Sequence, residues 1–114
     1  MKIIEAEISL KELRQLAEES FGDFVKAVVD IEKEIMAIDA ELHSDEESLL
    51  LQNGSSQVNL WGINIYPHKA NEGWIEFDSV INLRPSRGNR SRDVESSEIR
   101  EKIIQIVNNL VKSE

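Results

Sequence analysis

The sequence predicts an α+β fold: a mainly antiparallel sheet of about five strands, with two long helices on one face. Three observations carry that expectation. Trp74–Leu83 alternates with period two, which places Ile75, Phe77, Ser79, Ile81 and Leu83 on one face of a strand. Glu76, Asp78, Val80, Asn82 and Arg84 then fall on the other, so this stretch reads as the central strand. Ser9 opens a helix whose Leu10, Leu13, Leu16, Ala17 and Phe21 share one side, and Ser96–Val111 repeats the pattern with Ile99, Ile103, Ile106, Val107 and Leu110.

The elements follow in the order β-α-β-β-α-β-β-α. Lys2–Ile8 alternates weakly and suits an edge strand. Ser9-Leu10-Lys11-Glu12 has the form of a capping box, and Gly22 is the expected helix stop. Phe24–Ile31 and Ile35–Leu42 read as two strands of a hairpin around the polar break Glu32-Lys33-Glu34. One long helix over 23–42 is the competing reading, favoured by Glu, Lys, Ala and Met. Val28-Val29 and the period of two on either side of the break favour the hairpin.

Ser44-Asp45-Glu46-Glu47 resembles a second capping box before a short helix, Ser48–Gln52, and Asn53-Gly54 is a turn signal. Val58–Tyr66 is a fourth strand, with Trp61, Ile63 and Ile65 on one side and Leu60, Gly62, Asn64 and Tyr66 on the other. Pro67 ends it, and a hairpin loop over 68–73 leads into Trp74. Strands joined by short loops are expected to be antiparallel neighbours.

Composition narrows the functional classes. The 114 residues suit one domain with its own core, and the absence of cysteine excludes disulfides and thiol chemistry. Glu5 interrupts the amino-terminal apolar residues before a signal peptide develops, and no stretch nears the roughly 20 apolar residues that span a bilayer. A cytoplasmic location without membrane contact is expected. The net charge is −9, unevenly spread. Residues 1–85 carry seven basic against seventeen acidic residues, while 86–92 carry three arginines and no acid. A negative field of that extent disfavours nucleic acid as a partner.

Candidate site residues fall into three groups. Asp30, Glu32, Asp39, Glu41, Glu76 and Asp78 all point away from the long helices if the registers hold, which suggests a divalent-metal site of hard oxygen ligands. A solvated or partner-sealed acidic face explains the same pattern. His43 and Asp45 suggest a general base with an orienting carboxylate, or else a surface histidine beside a helix cap. Asn82, Arg84, Arg87, Arg90 and Arg92, with Gly88, suggest an anion- or partner-binding loop; internal charge balance is the alternative. Trp61 and Trp74 are expected as core or interface anchors.

Three segments carry a resemblance. Glu41–Leu51 (ELHSDEESLLL), Leu60-Trp61-Gly62 and Ile81-Asn82-Leu83-Arg84-Pro85 are similar to a small prokaryotic family catalogued as a domain of unknown function. Its members share an ELH-x-D-x-E pattern, a W-G pair and an N-[IL]-R-P element. The resemblance spans nearly the whole chain and implies one compact domain, without an activity or site residue to transfer.

The expected function is a non-enzymatic binding or regulatory module, a homo-oligomer that covers an open, partly apolar sheet face or docks a protein partner there. The alternative is a small metal-dependent hydrolase or phosphate-transfer enzyme using the acidic face and the Arg84–Arg92 loop. No cofactor is expected.

Overall fold

The centre of the sheet is set by Val25–Asp30, rich in valine and buried on both faces except at Lys26, which is half-buried. In the computed structural model, which describes residues 1–69 and 73–113, this strand (β3) is flanked on both sides by antiparallel partners. The order is β1-β4-β3-β5-β6, with β1 at Lys2–Ile4, β4 at Ile35–Ile38, β5 at Leu60–Ile65 and β6 at Ile75–Glu76. Two residues of a further strand, Ile8–Ser9 (β2), pair in parallel with Val111–Lys112 (β7). That second sheet ties the carboxy-terminal end beside the first helix, and it is too short to leave a period in the sequence.

The hairpin reading of 24–42 holds, and Asp30 explains why the charged break turns instead of coiling. Its Oδ1 accepts the amides of Glu32 and Lys33, both at 2.9 Å, and its Oδ2 accepts the Ser55 hydroxyl at 2.6 Å. Glu34 closes the turn in the left-handed region (φ 59°). β3 and β4 then pair Ala27 with Ile38 and Val29 with Met36.

The first face of the sheet carries the main core. Ala27, Val29, Met36, Ile38, Ile63 and Ile65 meet Leu13 and Ala17 of α1 (Leu10–Glu19). Ile103, Ile106 and Val107 of α3 (Ser97–Leu110) complete it. Both helices begin as the sequence predicts. Ser9 accepts the Glu12 amide at 3.0 Å, and Ser96 accepts the Ile99 amide at 3.3 Å. The return half of the Ser9 capping box is absent, because the Glu12 carboxylate pairs with Lys2 instead.

The second face departs from expectation, since a helix of this chain covers it. Val28, Ala37 and Leu60 are buried against Leu50 of α2 (His43–Gln52), with Ile3, Ile35, Leu49 and Ile81 at the margin. The architecture is therefore three-layered, α1 and α3, then the sheet, then α2. α2 is five residues longer than predicted and starts at His43, with Leu42 at the cap and no side-chain cap bond. His43, Glu46 and Leu50 form its buried stripe at spacings of three and four. Two polar residues on that stripe hid its amphipathicity from a hydrophobic reading.

The Trp74–Leu83 stretch needs the largest correction. Only Ile75–Glu76 is strand, and it lies at the edge of the sheet, not the centre. The backbone then leaves the sheet plane, so Phe77 packs into the first-face core while Ile81 packs into the second. In a strand these two odd-numbered residues would share a face. Val80–Asn82 and Pro85–Arg87 form single 3-10 turns. The predicted hairpin loop over 68–73 lies partly outside the described residues.

Candidate functional site

Because β6 pairs with β5 only at Asn64 and Ile65, the outer edge of Leu60–Gly62 has no neighbouring strand. Side chains take the strand's place. The Gly62 amide donates to Asn82 Oδ1 at 2.8 Å, and Asn82 Nδ2 donates to the Gly62 carbonyl at 2.9 Å and to the Arg92 carbonyl at 3.0 Å. Asn82 is wholly buried. Its close approach requires glycine at 62, where a Cβ would stand 2.6 Å from Ser79 Cβ and Oγ.

A second buried amide holds the loop that follows. Asn89 Nδ2 donates to the carbonyls of Asn82 and Asp93, each at 2.7 Å, and its Oδ1 accepts the Glu95 amide at 2.9 Å. Arg84 lies with its guanidinium carbon 4.8 Å from the centre of the Trp61 ring. It donates to the carbonyls of Leu60 and Ile81 and stands 3.7 Å from the Glu47 carboxylate. Asn82 and Arg84, expected to bind an anion or partner, are therefore committed inside the protein. Both act as scaffold.

Above this edge, the start of α2 and the Ser79–Ile81 turn enclose a cleft of about 200 Å³, lined by Lys26, Leu42, His43, Ser44, Ser79, Val80, Ile81 and Arg92. His43 is its buried floor, only 9% exposed. His43 Nε2 lies 2.7 Å from the Ile63 carbonyl. A carbonyl only accepts, so Nε2 carries the hydrogen and Nδ1 keeps the lone pair. Burial holds the imidazole pKa below its ordinary value, with Lys26 and Arg92 adding to the depression. The Ile63 bond and Asp78 oppose it. The ring is neutral at pH 7. Nδ1 has no hydrogen-bond partner among the described residues and is not among the buried unpaired atoms, so it keeps some access to solvent on a ring that lines the cleft.

Two cations border the cleft, each already engaged with the protein. Lys26 Nζ donates to the Glu41 carbonyl at 2.8 Å, and Arg92 Nε donates to Asp78 at 2.7 Å. The first turn of α2 lacks a side-chain cap; the Asp45 amide donates to the Leu42 carbonyl at 3.2 Å, and the His43 and Ser44 amides have no partner among the described residues. Leu42 and Val80, 54% and 66% exposed, stand on the cleft's apolar rim.

The remaining candidates disperse. Asp30 is consumed by its turn, Glu32 by Asn59, and Glu76 by Asn64 and Tyr66. Asp39 lies 3.8 Å from the amino terminus, and Glu41 is exposed. Among the described residues, no three of His, Asp and Glu come close enough to hold a metal ion. Asp45 is exposed and lines a different depression with Met1 and Ser48, so no hydrogen bond joins it to His43. Arg87 and Arg90 are exposed and make no ion pair among the described residues. Lys26, Ser79, Glu46 and Asn89 were not among the candidate site residues read from the sequence. Only Glu46, three residues after His43, offered a signal there.

These features define an α+β domain in which three separated segments, at 41–47, 60–63 and 81–92, meet at one sheet edge. The sequence matches the family described as protein of unknown function (DUF5674) over residues 2–110, and the chain belongs to that family. No curated protein and no solved structure matches it. No helix among the described residues is long and apolar enough to cross a membrane.

Proposed function

We propose that this protein is a non-enzymatic binding module that takes the anionic group of a small ligand in the His43 cleft. One observation carries the reading: the uncapped start of α2, Lys26 and Arg92 line one cleft with a nine-tenths-buried imidazole. Backbone amides at a helix start and two cations favour negative charge, and the enclosing rim reduces screening by water. Self-association through the second sheet face loses its support, since Val28 and Leu60 are already buried beneath α2. The metal-dependent alternative likewise has no ligand cluster behind it among the described residues.

The test is titration with inorganic phosphate and with acetate at low salt, followed by amide chemical shifts. Saturable shifts centred on His43, Ser44 and Ser79, lost in Lys26→Met and Arg92→Gln, are the expected result. Flat shifts at these amides for both anions would overturn the reading.

A further inference from the structure

We propose, resting on the anion reading of this cleft, that its ligand is a short aliphatic carboxylate bearing a hydroxyl beside the carboxylate. Each part of that molecule answers a different wall. The carboxylate suits the α2 amino terminus with Lys26 and Arg92. A single negative charge fits better than a dianion, because Arg92 already pairs with Asp78 and the chain as a whole carries −9.

The aliphatic part answers the rim. Leu42 and Val80 are among the most exposed large apolar residues of the protein, and both border this cleft together with Ile81. Covering them removes apolar surface from water. At about 200 Å³ the space holds a few methylenes and a carboxylate, not a nucleotide.

The hydroxyl answers His43. With Nε2–H spent on the Ile63 carbonyl, Nδ1 of this cleft-lining ring is an acceptor only. A bare carboxylate there would set lone pair against lone pair. A neutral O–H donor next to the carboxylate completes the imidazole. An ammonium donor is the poorer choice, since Lys26 and Arg92 repel it.

The experiment compares acetate, butanoate, 2-hydroxybutanoate and inorganic phosphate by calorimetry and by ¹⁵N shifts of the histidine rings at neutral pH. Burial of a methylene is worth up to about fourfold in affinity, so butanoate should bind several-fold tighter than acetate. The hydroxyl should add about threefold to tenfold, the range of one hydrogen bond. His43 Nδ1 should shift with 2-hydroxybutanoate and not with butanoate, while exposed His68 serves as the internal reference. If phosphate and acetate bind at least as well as butanoate, the anion reading stands and this proposal falls. If butanoate and 2-hydroxybutanoate bind equally without an Nδ1 shift, the hydroxyl is refuted. If none of the four binds, both readings fall.

Discussion

Replacing Glu46 by Gln probes how α2 is held over the sheet. Glu46 is fully buried; its Oε2 accepts the Ala40 amide at 3.0 Å, and its Oε1 has no partner among the described residues. Burial pushes its pKa up from 4.5 to about 9, with Asp39 contributing, against the opposing pull of the Ala40 amide, Lys26 and the amino terminus. The native protein thus holds a proton that the unfolded chain releases between pH 4.5 and about 9. The neutral form's advantage is complete below pH 4.5 and is lost as pH rises toward the folded-state value. One pKa unit corresponds to about 1.4 kcal/mol, so the interval from 4.5 to pH 7 removes roughly 3 kcal/mol of stability. That is a large part of the ~5–15 kcal/mol that holds a domain together.

Gln keeps an acceptor for the Ala40 amide and does not titrate. Urea unfolding of parent and variant across pH 5 to 8 should therefore diverge, with near-equal stability at the acid end. By pH 7 the variant should lead by about 3 kcal/mol. Other carboxylates titrate equally in both proteins and cancel in the difference. Parallel pH profiles, or a variant less stable throughout, would show that Glu46 is ionised and paired in the native state and would refute the reasoning.

Three further outcomes test the sheet edge. Asn82→Leu strips the buried Gly62 amide and carbonyl of their partners, at about 1–3 kcal/mol for each unpaired group, and denaturant unfolding should show the loss. Gly62→Ala drives a Cβ to 2.6 Å from Ser79 and should cost about 1–3 kcal/mol of overpacking, read as a lower melting temperature; an unchanged value would show that the Ser79 turn moves freely. Replacing Arg87 and Arg90 together by Gln should leave the urea midpoint unchanged, because neither side chain has an ion-pair partner among the described residues.

The legible parts of this fold were those with a single repeating cause. Ser9 was readable as a cap because a hydroxyl three residues before an orphan amide is a local device, and Ser96 plays the same part at the last helix. The 25–38 hairpin was readable because Val28-Val29 and a period of two flank the charged break; that Asp30 turns the chain there was not. Trp74–Leu83 misled because its alternation arises from two different burials. Phe77 goes into one layer and Ile81 into the other after the backbone has left the plane. That exit depends on Gly62, distant in the chain, whose lack of a side chain leaves room for Ser79. α2 was shortened for a related reason: its sheet-facing stripe includes His43 and Glu46, which a hydrophobic pattern scores as surface. His43 was legible as a candidate, but its orienting partner was not, since the bond goes to the Ile63 backbone and not to Asp45.

The cleft depends on where the last strand of the main sheet stops. Had β6 continued past Glu76, its backbone would have occupied the outer edge of Leu60–Gly62. The Asn82 amide would then have had no edge to pair with. Ending β6 early lets a side-chain amide satisfy Gly62 while the chain rises to form the Ser79–Ile81 wall. The same edge carries Trp61 under Arg84 on one side and Ile63 beneath His43 on the other. Arg84 braces the turn through Leu60 and Ile81, and Asn89 fixes the return path to Arg92. The arginine loop's contribution to the site is thus divided by position. Arg84 holds the wall in place, Arg92 reaches the cleft, and Arg87 and Arg90 remain at the surface beyond it.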